Sequence, residues 1–279
     1  MPTFATPQPI LARFELVVGE ARIIASDRTD TVVDVQPSDA TRSADVTAAA
    51  QTRVDYTDGR LTIITPRQRG FLGKPGSIDL RVELPTGSGV RADASVVTFR
   101  SQGPLGDCEF TSDVGDIHLE QTAALQLTSH AGNVTVERVV GRCEVKAGSG
   151  SVRVDDVDGP ATIKNSNGAS RVGAVTGDLR VNATNGAITI DRAHRSVGAK
   201  TANGSIQVGE VASGSVVLST AVGGIDVGIR SGTAALVDAR SKLGRVDNRL
   251  DAVAGPAESD DRVEIKARTA LGDIKICRA

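Results

Sequence analysis

Eight glycines fall in register along this chain, at Gly115, Gly132, Gly150, Gly168, Gly186, Gly204, Gly223 and Gly272. The first seven are 17, 18, 18, 18, 18 and 19 residues apart, and each of the eight opens a Gly-x-[Ile/Val/Ser]-x-[Val/Ile/Leu] stretch. A fixed period of this length, with mostly β-branched residues two and four places after the glycines, belongs to a stacked solenoid in which every repeat buries its apolar face against the next. The pairs Ile117 and Leu119, Val134 and Val136, Val152 and Val154, Ile188 and Ile190, Ile206 and Val208, Ile225 and Val227, and Ile274 and Ile276 then form stacked inward columns.

A second punctuation follows about nine residues later, at Gly141, Gly159, Gly177, Gly214 and Gly232. Each repeat therefore reads as two strands and two corners. The corners Asn167-Gly168, Asn185-Gly186 and Asn203-Gly204 supply residues that tolerate a left-handed backbone, and with Gly150 they line up as a structural column in which the three amides stack as a ladder. A coil of about 18 residues encloses no room for a lumen, so the interior is packed side chains. Parallel strands joined by crossovers wind right-handed by default. The expectation is an all-β chain built as a right-handed parallel β-helix.

Residues 1–86 lack the period and read as a β-rich cap for the N-terminal end, with alternating strands, a hairpin at Asp58-Gly59 and one short helix between Ser38 and Thr52. Arg67 to Gly76 reads as an exposed basic loop. The solenoid is expected over 87–279, interrupted by an acidic loop near 249–262.

Composition narrows the function. The formal net charge is −2, so no whole-chain basic field draws nucleic acid, and aromatic residues make up only 2% of the chain, which leaves little to stack on bases or sugars. No apolar run reaches the length of a membrane helix and the N-terminus lacks the pattern of an export signal, so direct membrane insertion is not expected and the cytoplasm is the expected compartment. Three cysteines make no disulfide framework. Cys108 and Cys143 fall on inward positions, whereas Cys277 is the exposed thiol.

Candidate chemistry lies on the outside of the coils. Glu120, Glu137 and Asp155 recur five residues after their glycines, and such a column of carboxylates offers oxygen ligands to a cation such as calcium. Arg138 lies beside it as a ready ion-pair partner, which makes a solvated charged face the preferred reading. Lys146, Lys164 and Lys200 nearly align on another face, with Arg153 and Arg171 forming a further aligned pair, and these are read as solubilising charges. His118, His130 and His194 form no dyad with a nucleophile, and there is no Gly-x-Ser-x-Gly elbow, phosphate loop or His-Glu-x-x-His. No catalytic residue, cofactor or metal site is expected. Val222, Leu243 and Leu271 stand where Asn stands in the middle coils; cover by the acidic loop near 249–262 is the preferred reading, and a docking surface for a partner or a second copy is the alternative.

The run Val32-Val33-Asp34-Val35-Gln36-Pro37-Ser38-Asp39, then Asp58-Gly59-Arg60-Leu61, then Ile78-Asp79-Leu80-Arg81-Val82-Glu83-Leu84-Pro85, followed by Gly-Asp-Ile and Asn-Gly repeats, resembles the bacterial β-strand-repeat family of putative adhesins, related to the head GIN domain. Versions without an export signal are similar to actinobacterial proteins. The resemblance implies a β-helix-like fold with no established activity. The functional expectation is thus a non-catalytic interaction or scaffold protein that engages a protein partner or a second copy of itself, as a monomer or homodimer. The alternatives are a self-assembling, bactofilin-type element and, further off, a polysaccharide-active β-helix enzyme.

Overall fold

The computed structural model describes residues 1–66, 75–250 and 261–279. The expected basic loop at 67–76 falls largely outside the described residues, as does the centre of the acidic loop near 249–262. The fold is all-β, with a parallel sheet that wraps nearly closed around an axis, as a β-solenoid does. The chain divides into two compact units, Met1–Val140 and Gly141–Ala279.

In the first unit the parallel ladder begins inside the segment read as a cap. Strand Leu11–Ser26 runs in parallel register with Gly89–Pro104 from Leu11 opposite Gly89 to Ile24 opposite Gln102. It bends at Gly19 (φ 147°), and Ala21 and Ile23, two and four residues on, are buried, as are the corresponding residues after Gly115, Gly132 and Gly150. Gly19 is thus a corner of the same kind. Two further rungs follow, Cys108–Val114 with Ile117–Thr122, and Leu125–Ala131 with Val134–Val139. On its other edge Leu11–Ser26 is covered by Arg60–Ile64 and Ile78–Pro85. Arg60–Ile64 pairs back on Arg53–Thr57 across Asp58 (φ 49°) and Gly59 (φ 74°), the two left-handed residues of a type I′ hairpin turn. The helix Ser43–Gln51 is pinned by buried Asp45, which accepts the Ser77 N–H at 3.1 Å and sits 3.5 Å from Arg42.

The second unit stacks seven rungs, and their spatial order is not their chain order. Four consecutive rungs start at Cys143–Ser149, Ala161–Asn167, Leu179–Asn185 and Val197–Asn203, and Gly214–Val222 comes next. The strand beside Gly214–Val222 is then Arg262–Leu271, not the next one in sequence. Ala234–Leu243 lies beyond it, paired on Arg262–Leu271. The second strands follow suit, with Ile274–Arg278 between Ile225–Ile229 and Val246–Asn248. The outermost rung of this unit is therefore Ala234–Asn248, and its strands have no partner on their outer edge among the described residues.

Inward columns account for the stability. Cys143, Ala161, Leu179, Val197, Val216 and Ile265 stack in one column, and Val154, Val172, Ile190, Val208, Val227 and Ile276 in another, all buried. Burying a Val, Leu or Ile side chain contributes about 1.5–3 kcal/mol. The outer rung gains less, because Val246 is 45% exposed where Ile274 beneath it is fully buried.

Candidate functional site

The glycine corners order everything around them. At Gly168, Gly186, Gly204, Gly223 and Gly272 φ lies between 136° and 152°, and the corner amide donates to the carbonyl of the next rung at 2.8–3.0 Å. A Cβ at Gly186 would stand 2.0 Å from the Gly168 carbonyl oxygen, and the other corners are as tight. Only glycine satisfies both the left-handed backbone and the close approach.

Outside this column the amide of Asn185 donates to Asn167 Oδ1 at 2.9 Å, and that of Asn203 donates to Asn185 Oδ1 at 2.9 Å. Register carries the same column on from Asn203 to Val222, then Leu271, then Leu243. The three apolar residues sit on three successive rungs, 46%, 50% and 69% exposed. Leu271 separates Val222 from Leu243 only because of the inserted rung.

Inside the corner runs a second, buried polar column that sequence reasoning missed. Thr201, Thr220 and Thr269, all buried, and Ser241, half-buried on the outer rung, each three residues before a corner glycine, donate hydroxyl hydrogen bonds to the carbonyls of Gly186, Gly204, Gly223 and Gly272 at 2.8–3.2 Å. Asn165 does the same through its amide, reaching the Gly150 and Gly168 carbonyls at 3.1 Å. These carbonyls face the interior, and a buried carbonyl without a donor is costly. The signal was present as Thr-Ala-x-Gly at 201–204, 220–223 and 269–272.

The acidic positions each have a partner of their own. Glu120 and Glu137 occupy facing positions on adjacent rungs of the first unit, between the pairs Val136 with Leu119 and Arg138 with Gln121. Glu120 accepts the Gly103 N–H at 3.0 Å, and Glu137 lies 3.3 Å from His118 Nε2. Asp155 belongs to the second unit, where Arg153 donates to it at 2.8 Å and the facing residue is Gly173, not a carboxylate. Among the described residues no group of three or more His, Cys, Asp or Glu is placed to hold a metal ion. His130 meets Asp113 at 3.3 Å on an open surface.

Burial raises the thiols of Cys108 and Cys143 to about 12, so both stay protonated at neutral pH, and all three cysteines are free. A part-buried ionic junction lies in the first unit, where the Arg28 guanidinium, 18% exposed, reaches both Asp30, at 2.8 Å, and Glu83. Its hydrogen bonds hold both carboxyls below their ordinary range, and Arg81 adds to the effect on Glu83.

Stacked two-strand rungs, left-handed glycine corners and internal hydroxyl braces define a parallel β-solenoid protein. The chain belongs to the Toastrack DUF4097 family, whose family model matches residues 19–277. No curated protein matches it. Among solved structures it is similar to a putative adhesin from Bacteroides fragilis at 14% identity, covering 99% of this chain and 95% of that one with a TM-score of 0.32. A putative adhesin from Parabacteroides merdae is similar at 14% identity over 80% and 93% of the two chains, TM-score 0.40. A putative lipid binding protein from Parabacteroides distasonis is similar at 12% identity over 100% and 95%, TM-score 0.42. No helix among the described residues is long and apolar enough to cross a membrane.

Proposed function

We propose that this protein is a non-catalytic interaction module of the cytoplasm that docks a protein partner or a second copy through the ridge Val222–Leu271–Leu243, as a monomer or homodimer. The observation that carries this reading is the ridge itself: three large apolar side chains on successive rungs, 46–69% exposed, continuing a column that is polar on the four earlier rungs of the unit, Ser149 followed by Asn167, Asn185 and Asn203. A contiguous apolar strip on a rigid ladder marks a contact surface more than scattered single residues do. Free cysteines fit a reducing compartment.

The outer strand edge of Ala234–Asn248, without a partner among the described residues, favours a second reading, end-to-end assembly. Light scattering on a sizing column over a hundredfold range of concentration, for wild type and for Leu243→Asp with Leu271→Asp, separates the two. A wild-type dimer that the double variant converts to monomer supports the ridge. Filaments that persist in the variant refute it and leave the open edge as the contact.

A further inference from the structure

We propose that the outer face of the second unit carries a binding groove for an acidic oligosaccharide of the polyuronate class, centred on Arg180. The groove has a volume of about 530 Å³, within the usual range for ligand sites, and is lined by Thr162, Asp178, Arg180, Ser196, Gly198 and Val217. Gly198 creates its depth, since a Cβ there would have no neighbour nearer than 4.0 Å. Register places Thr162, Arg180, Gly198 and Val217 opposite one another on four successive rungs, so the groove runs across the strands along the stack.

The charge beside the groove is ordered by the same register. Two residues along each strand lies the column Lys146, Lys164, Asn182, Lys200, Ser219, Arg268 and Arg240. It holds five cations and no carboxylate, in a chain whose net charge is −2. The two arginines enter it only because the rung Arg262–Leu271 is inserted ahead of Ala234–Leu243. Lys146 is tied to Glu144 at 2.9 Å, and Arg240 and Arg268 share Asp238 at 2.9 and 3.7 Å. Lys164, Arg180 and Lys200 are exposed and have no ion pair among the described residues.

These three cations stand on consecutive rungs, ~4.8 Å apart, and alternate between the two columns. A linked uronate residue is about as long as one rung, and in a near-twofold ribbon its carboxylates point to alternate sides. Successive carboxylates thus meet Lys164, Arg180 and Lys200 in turn, with Arg180 offering a bidentate fork. The hydroxyls of Thr162 and Ser196 and the carboxylate of Asp178 face sugar hydroxyls, which a uronate offers beside each of its carboxylates. The groove offers no aromatic platform, so binding depends on charge and is sensitive to salt.

The test is calorimetric titration of the whole protein with a short oligogalacturonate at 20 and 150 mM salt, beside maltohexaose and a single-stranded oligonucleotide of equal charge. The expected result is binding of the galacturonate alone, weakened at least tenfold by Arg180→Gln and by Lys164→Gln with Lys200→Gln, and unchanged by Arg171→Gln on the other strand set. Absence of binding at 20 mM salt overturns the proposal. So does equal weakening by Arg171→Gln, or oligonucleotide binding as tight as that of galacturonate, which would make the stripe a general polyanion attractor. The ridge of the preceding subsection is untouched by these variants, so the two readings fail separately.

Discussion

Replacing Gly186 with alanine isolates the element on which the solenoid depends. At φ 146° an L-residue is held in a sparsely populated region, which costs about 1–3 kcal/mol. The added Cβ would also stand 2.0 Å from the Gly168 oxygen and 2.6 Å from its carbonyl carbon, against 3.4 Å for ordinary contact, so the rungs must part by more than 1 Å. That parting strains the corner amide bonds on either side, Gly168 to Asn185 at 2.9 Å and Gly186 to Asn203 at 2.8 Å. Forced overpacking adds about another 1–3 kcal/mol, so the expected loss is about 4 kcal/mol, a fall in Tm of about 10 °C for a domain of this size.

Two comparison variants divide the cost. Gly232 has a positive φ of 84° with nothing within 4 Å of a Cβ, so Gly232→Ala should lose only about 1–2 kcal/mol. Gly198 has neither constraint, and Gly198→Ala should be neutral or gain about 0.4–1 kcal/mol. Thermal and urea unfolding followed by circular dichroism measure all three, with the urea slope checked for change because stacked repeats can lose cooperativity. Equal losses for Gly186→Ala and Gly232→Ala would show that backbone conformation alone matters and that the close approach between rungs has been misjudged.

Three further outcomes are expected. Thr220→Val keeps shape but leaves the Gly204 carbonyl without its 2.9 Å donor, and should cost about 1–2 kcal/mol in the same unfolding assay, whereas Ser219→Val on the outer face should not. Native protein should react with one equivalent of a thiol reagent at pH 8, at Cys277, and with three after unfolding, because burial holds Cys108 and Cys143 near 12; rapid modification of three in the native state would contradict the buried columns. Glu83 is held below its ordinary value of 4.5 chiefly by Arg28, so its contribution is complete above that pH and is lost as pH falls through the lowered value. The drop in Tm between pH 5 and 3 should therefore be smaller in Arg28→Met than in wild type, and equal drops would show that the junction contributes nothing.

The repeats were legible because one rung makes the same demands as the next. A corner needs glycine, the two inward places need β-branched residues, and so Gly150-Ser-Val-Arg-Val and its copies announce themselves. The first corner, Gly19-Glu20-Ala21-Arg22-Ile23, follows the rule only in part, with Ala21 at the first inward place, and it was missed also because its neighbour in space carries Val97 in the glycine place and the chain between them folds back as a hairpin and a helix. The polar column at Thr201, Thr220 and Thr269 was hidden for a different reason. Threonine fits both an exposed strand face and a buried one, and only the carbonyl it reaches settles which. The order of the last rungs was not legible at all, because Ala234–Leu243 and Arg262–Leu271 present nearly the same pattern to Gly214–Val222, and spacing does not say which one seats first. The basic column was half visible as Lys146, Lys164 and Lys200, and Arg268 and Arg240 joined it only through that order.

The inserted rung also bears on how the molecule is made. During synthesis Ala234–Asn248 emerges before Arg262–Arg278, yet its final neighbour is the later segment. A nascent chain paused between the two has two courses open: it can hold Ala234–Leu243 away from Gly214–Val222, or seat it there and then release it to admit the late arrival. Loss of residues 262–279 would accordingly remove a spacer from within the stack and leave the earlier segment to close onto Gly214–Val222 in its place. The shortened protein would then be a different, complete-looking stack in which Leu243 abuts Val222 directly.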